Sequence, residues 1–267
     1  MKKPHSTPSM KSLAALAFAT LLAAATNSHA ALLLSDNFTG TADTLINGRA
    51  VQYYNPSYYT TGPVWNASTR LLLSGNNAVT VSSADANGGA VAALPQALNS
   101  GTISIEGSIV AQGATYVALS LLAAGSNNVF DAVNPFLLTL WDNGAVTLYK
   151  NGGASSLYSA GLSGFSATTA YTMSLQYSFE SSLANIYINS TLFASVPVTG
   201  LNSSSITGVG FYFLSGEPTT SLDNFQVNVT PVPEPSTAML AGLAMVFCIG
   251  SYRRITKEKS AIFQLAK

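Results

Sequence analysis

Charge, histidine and cysteine are all scarce in this chain. Only 8% of its 267 residues are charged, against ~25% in ordinary globular proteins. There are two histidines, His5 and His29, and one cysteine, Cys248. A single cysteine excludes an intrachain disulfide, so a folded body must be held by packing and strand pairing. Both histidines lie near the N-terminus, and a body without His or Cys cannot build a Ser-His-Asp triad, a Cys-His dyad or an ordinary structural zinc site. Lys+Arg 11 balances Asp+Glu 11, which excludes the concentrated basic excess of a nucleic-acid binder. Scarce Lys and Glu, with abundant Gly, Ser, Thr and Asn, also disfavour a helical bundle.

The zero net charge is a sum over unlike parts. Residues 1–30 carry +3, residues 231–267 carry +3, and residues 31–230 carry −6, with Arg49, Arg70 and Lys150 against nine acids. Basic ends therefore flank an acidic middle. At the N-terminus, Lys2, Lys3 and Lys11 precede an apolar run from Leu13 to Ala25. A helix of that length reaches roughly 20 Å, short of a ~30 Å hydrocarbon core. Ser28-His29-Ala30 supplies small residues at the −3 and −1 positions. Residues 1–30 thus read as a secretory signal, cut by signal peptidase between Ala30 and Ala31.

The C-terminal end has an ordered set of features. Pro233-Glu234-Pro235 leads into an apolar run from Ala238 to Tyr252, and Arg253-Arg254 follows. The prolines prevent helix upstream, and Ser236 or Thr237 can cap the helix that follows. Its length gives a minimal membrane span. The arginine pair would stay cytoplasmic, leaving the body outside. Pro-Glu-Pro, short apolar helix and arginine pair together resemble the PEP-CTERM sorting signal of bacterial surface proteins. The resemblance implies processing by an exosortase near Pro233, Glu234 and Pro235, in a Gram-negative-type envelope and often an exopolysaccharide context. Residues 255–267 extend beyond the usual end of that signal as a basic tail, expected to be cytoplasmic before processing.

Residues 31–230 read as one body of short strands separated by Gly, Asn, Ser and Pro. Thr102 to Glu106 alternates apolar and polar positions. Strands are expected over Thr115 to Ala123, Phe136 to Trp141, Ala145 to Tyr149, Tyr171 to Phe179, Ala184 to Ile188, Thr191 to Val196, Val209 to Leu214 and Ser221 to Val229. Further segments lie near Leu32, Val51, Leu71, Val79 and Val91, giving about a dozen strands and predicting a β-sandwich. Asp142-Asn143-Gly144 marks one hairpin and Asn189-Ser190 another. Asp36-Asn37-Phe38, the hairpin across Ser182 to Phe193, and the segments Gly208 to Phe213 and Ser221 to Val227 resemble the concanavalin-like, laminin-G-like jelly roll. In such folds the first and last strands lie close together, so Asp36-Asn37-Phe38 and Asp223-Asn224-Phe225 are expected to be neighbours. On the residues alone, Phe38 and Phe225 read as core and the Asp-Asn pairs as turns leading into strands.

Carboxylates and aromatics carry what chemistry remains. Glycoside hydrolysis needs only two carboxylates, but Glu106 stands alone among isoleucines, Glu180 ends a strand and Glu217 precedes Pro218. A long-range pairing of Glu106 with Glu180 stays open as the enzyme alternative, a carbohydrate-active hydrolase. The laminin-G-like resemblance implies calcium as a candidate ion, with Asp131 and Asp142-Asn143 supplying oxygens; no other cofactor is expected. Tyr53, Tyr54, Tyr58, Tyr59 and Trp65 surround a Pro56-centred turn and are the candidate glycan-binding residues, because aromatic rings stack on sugar faces and amides bond hydroxyls. Tyr is also a favoured strand residue, so cross-strand packing explains them as well. The expectation is an exported, exosortase-sorted envelope or matrix protein, non-catalytic and polysaccharide-binding, held at the inner membrane as a precursor and then displayed at the surface. A purely structural or adhesive role is the third class.

Overall fold

The period-two alternation of apolar residues generates nearly all of the described structure. The computed structural model describes residues 30–123 and 128–231. The expected signal helix, Cys248, the apolar helix, the motif residues Pro233, Glu234, Pro235, Arg253 and Arg254, and the 255–267 tail lie outside the described residues. Sixteen strands follow in chain order: β1 (Ala31–Asp36), β2 (Tyr53–Tyr54), β3 (Asn66–Ala67), β4 (Leu71–Leu73), β5 (Val79–Val81), β6 (Ala86–Leu98), β7 (Thr102–Val110) and β8 (Tyr116–Leu122). Then come β9 (Phe136–Trp141), β10 (Ala145–Lys150), β11 (Ser155–Gly161), β12 (Tyr171–Ser178), β13 (Leu183–Ile188), β14 (Thr191–Pro197), β15 (Ile206–Gly216) and β16 (Ser221–Thr230). No helix occurs among the described residues.

Two antiparallel sheets result. The first runs β14-β13-β12-β7-β16-β1-β2, with β4 and β5 attached beside β16. The second runs β11-β10-β9-β8-β15-β6-β3. Their inner faces share one apolar core, and the aromatic contacts across it are direct. Phe136 of β9 lies 4.7 Å from Tyr177 of β12, and Phe211 of β15 lies 5.8 Å from Phe225 of β16. The protein is therefore an all-β sandwich, and Ala30–Pro231 forms one compact unit.

Particular strands show how sequence pattern becomes register. In β7 the isoleucines Ile103, Ile105 and Ile109 are fully buried while Thr102, Ser104, Glu106 and Ser108 face outward. β8 is buried at every position, because its outer face is covered as well. The β9–β10 hairpin turns at Gly144, whose φ of 82° is available to glycine at little cost. At the β13–β14 turn both Asn189 and Ser190 have positive φ, the geometry that matches the twist of the paired strands. Val51 lies outside any strand; only an isolated bridge, Ala50↔Val64, forms there. β11 was not legible, because Ser155-Ser156-Leu157-Tyr158-Ser159-Ala160-Gly161 alternates poorly and forms an edge with little to bury.

One buried charge organises the centre. The Asp36 side chain is fully buried. Its Oδ2 accepts from Arg49 Nη1 at 2.6 Å and from Trp65 Nε1 at 2.8 Å, and its Oδ1 accepts from the Phe38 amide at 2.9 Å. Trp65 in turn packs 5.2 Å from Phe211 and 5.3 Å from Phe225, so the carboxylate ties a loop to both sheets. Removing one partner of a buried ion pair strands the other charge away from water. Arg49→Ala is therefore expected to cost about 3 kcal/mol of stability. Chemical denaturation checks this, and a loss below about 1 kcal/mol, the range of a surface ion pair, would contradict it.

Candidate functional site

The outer face of the second sheet carries an unusual second apolar layer. Side chains on this face come from alternate positions of β15, β8, β9 and β10. Antiparallel register places Tyr212 opposite Ala118 and Leu214 opposite Tyr116. It also sets Tyr116 opposite Trp141 and Ala118 opposite Thr139, and then Thr139 opposite Thr147. The result is a floor of small residues flanked by Tyr116, Trp141, Leu137, Tyr149 and Tyr212. These pack as a cluster separate from the main core, with Phe130 and Leu214 against them.

Hydrogen bonds fix the floor. Trp141 Nε1 donates to Thr139 Oγ1 at 3.0 Å, Thr139 Oγ1 donates to the Thr147 carbonyl at 3.1 Å, and Thr147 Oγ1 lies 2.9 Å from Ser159 Oγ. The Trp141 ring is thereby held in one orientation, 5.0 Å from Tyr116. On the other flank Phe130 meets Tyr212 edge-on at 4.5 Å. Gly89 faces Tyr212 across the β6–β15 pair, and a Cβ there would lie 2.8 Å from Tyr212 Cδ2. Only glycine leaves room for the ring to lie against that strand. Trp141, Tyr149 and Tyr212 remain partly exposed, so the face offers aromatic surface to solvent over a rigid support.

The aromatic residues expected from sequence are divided by burial and strand alternation. Trp65 is 0% exposed and its N–H is committed to Asp36, so it has no ring face to offer. Tyr59 is also buried, and its hydroxyl donates to the Ala93 carbonyl at 3.3 Å. Tyr58 packs partly against the main core. The expected single rim of tyrosines around Pro56 therefore does not form, because an aromatic-rich turn beside an apolar core gains more by burying its rings. In β2, Tyr54 pairs with Leu34 and Tyr53 with Ser35. The alternation points them to opposite faces; Tyr54 packs edge-on against Tyr59 at 5.9 Å, and Tyr53 stands 43% exposed.

Tyr53 borders a groove of about 550 Å³ on the first sheet, lined by Leu32, Asp36 and Phe225 together with the polar side chains of Ser35, Asn37, Gln52, Asn224 and Gln226. The two Asp-Asn-Phe segments meet here, since Asp36 pairs with Phe225. Asp223 is held above the usual carboxylate range by burial, with the Asp36 charge adding to the effect and the Asn224 amide opposing it. Glu106 accepts from Gln226 Nε2. Glu180 instead accepts from the Gly101 amide at 2.6 Å, at the turn before β7. Five extended residues, roughly 16 Å, separate Gly101 from Glu106, so the fold does not bring Glu106 and Glu180 together. Asp131 and Asp142 each sit in a turn, and no group of three or more metal-ligating side chains stands together among the described residues.

A family model described as the PEP-CTERM protein-sorting motif matches residues 231–254. The chain carries a PEP-CTERM sorting motif. No curated protein sequence matches this chain. Among solved structures it is similar to the Emp46p carbohydrate recognition domain in its metal-free form, at 13% identity and TM-score 0.47, covering 63% of this chain and 88% of that one. It is also similar to the carbohydrate-binding module CBM66 from Bacillus subtilis, at 12% identity and TM-score 0.42, covering 73% and 96%. A glycosyl hydrolase family protein from Mycobacterium fortuitum shows 12% identity and TM-score 0.45, covering 74% and 99%. At such values the chemistry of those proteins remains their own.

The tyrosine environments generate a pH prediction. Burial pushes the Tyr116 hydroxyl up to about 12, and the nearby Tyr212 and Tyr149 add to the shift. Burial also raises Tyr59, Tyr177 and Tyr212. Above the ordinary value of 10.0 the unfolded chain has lost these protons while the folded chain retains them. Stability is thus complete below that pH and falls as pH rises toward about 12. Denaturant unfolding at successive pH values should show this decline, and Tyr116→Phe should make it shallower. A native protein whose tyrosinate absorbance develops fully near the ordinary value would contradict it.

Proposed function

We propose that the protein is an exported, exosortase-sorted component of the envelope or extracellular matrix whose concanavalin-like sandwich binds polysaccharide without cleaving it. The observation that carries the binding reading is the aromatic face of the second sheet. Partly exposed Trp141, Tyr149 and Tyr212 lie over a hydrogen-bonded floor, so ring surface is presented without a side-chain ordering cost at the moment of binding. Sugar rings have apolar C–H faces that stack on such surfaces, while tyrosine hydroxyls bond their edges.

Processing is compatible with the fold at both ends. Signal peptidase cutting between Ala30 and Ala31 leaves β1 whole, because its pairing with β16 begins at Ala31↔Val229. Exosortase cutting near Pro235 likewise spares β16, which ends at Thr230. The precursor would be held in the membrane through residues 238–252 and the mature body released to the surface. Its residues 31–230, with nine acids, three bases, no histidine and no cysteine, form the non-catalytic body we propose.

Two measurements test the reading. Full-length protein in detergent should be retained on immobilised host exopolysaccharide, and the Trp141→Ala, Tyr212→Ala double variant should bind at least about tenfold more weakly. Unchanged retention by a folded double variant would refute the site, and release of reducing ends from the polysaccharide would refute the non-catalytic reading. Mass spectrometry of surface copies should find an N-terminus at Ala31 and a C-terminus near Pro235. Surface copies that all end at Lys267 would refute sorting by cleavage.

A further inference from the structure

The groove beside Tyr53 lies on the opposite sheet from the aromatic face, and its polar groups are set in fixed directions. Gln226 Nε2 donates to Glu106, and Asn224 Nδ2 donates to Asp223 Oδ2 at 3.0 Å. A carboxylate only accepts, so both amides are forced to turn their carbonyl oxygens away from these partners. Asn37 is oriented in the reverse sense. Its Oδ1 accepts from the Thr39 amide at 3.3 Å, leaving Nδ2 as a donor. Gln52 is spent holding the loop, through Asn37 N and Thr39 Oγ1. Among the described residues, the side-chain carbonyls of Gln226 and Asn224, the side-chain amide nitrogen of Asn37 and the hydroxyls of Ser35 and Tyr53 have no hydrogen-bond partner. All five border the same groove.

We propose that this groove is a second glycan-binding site, taking one neutral hexose unit with its ring face on Tyr53 and its hydroxyls on Ser35, Asn37, Asn224 and Gln226. Two acceptors, one amide donor and two hydroxyls match the mixed donor and acceptor character of sugar hydroxyls. The lining holds no cation, and Asp223 and Glu106 stand behind its amides. An anionic sugar would meet repulsion and no counter-charge, which selects a neutral one. The volume, about 550 Å³, lies within the range of small-molecule sites.

The position of the groove has a consequence for assembly. Sheets in a sandwich are ~10 Å apart with side chains filling the space, so a single sugar cannot touch both faces. The two sites thus face opposite sides, the arrangement by which one molecule holds two polysaccharide strands. This inference rests on the reading of the protein as a glycan binder.

Calorimetric titration separates the two claims. The full chain in detergent is titrated with hexasaccharides of glucose, mannose and galactose, and beads bearing the same sugars are mixed with it. The expected result is two bound equivalents and bead aggregation. Tyr53→Ala, an exposed position, should remove one equivalent and Trp141→Ala the other, and neither variant should aggregate beads. A parent that binds one equivalent, lost in Trp141→Ala and kept in Tyr53→Ala, overturns the second site and leaves the aromatic-face reading standing. A Tyr53→Ala protein that still binds two equivalents also overturns the second site. A parent that binds none of the sugars overturns both.

Discussion

Everything at the centre of this sandwich depends on one buried carboxylate. Asp36 ends the first strand, and its two oxygens receive Arg49, Trp65 and the Phe38 amide. A charge in that position is costly unless fully bonded, and here three donors meet it. The consequence is positional. Trp65 is pinned against Phe38, Phe211 and Phe225, and these rings bridge the two sheets. The left-handed backbone at Phe38, φ 50°, is tolerated because its amide donates to Asp36. Without the carboxylate, the long irregular stretch between β1 and β4 would lose its fixed point against the core.

That fixed point also shapes the outside of the molecule. Anchoring Arg49 and Trp65 inward leaves β2 as a two-residue strand alongside β1. Such a strand has one residue for each face. Tyr53 therefore reaches the outer groove while Tyr54 turns toward Tyr59. On the opposite sheet, a different device yields an aromatic surface: β8 is apolar on both faces, so its outer side chains need cover. Trp141, Tyr149, Tyr212 and Phe130 provide it and remain only partly buried themselves. This second apolar layer lies outside the main core and keeps Trp141, Tyr149 and Tyr212 in partial contact with solvent.

Much of the fold was legible residue by residue. β7 and β9 were readable from alternation and hydropathy, and the Asp142-Asn143-Gly144 turn from its tolerance of positive φ. The proximity of the two Asp-Asn-Phe segments followed from the resemblance in strand order. Less was legible of the site. Tyr116, Trp141 and Tyr212 lie in three separate strands, and each alone reads as ordinary strand sequence. The only available signal was local: β8 and β9 are apolar on both faces, which implies a second covered layer. Conversely, the dense aromatic cluster at residues 53–65 drew attention by composition, yet composition does not distinguish rings that present a face from rings that fill a core.

The sequence by itself determined the sorting motif and the limits. The PEP-CTERM sorting motif at residues 231–254 is a linear pattern on one local stretch, so no tertiary structure is needed to recognise it. The near absence of histidine and cysteine likewise limits chemistry whatever the fold. Period-two alternation determined that the body would be strands. Tertiary structure alone decided which strands became neighbours, and so which side chains share a face. Register is a long-range property: Tyr116 and Trp141 are brought together by the β8–β9 ladder, and Asp36 reaches Trp65 only because β1 and the following loop close around one carboxylate. Scarcity of charge, which first appeared as an absence, is what makes the Asp36–Arg49 ion pair decisive among the described residues.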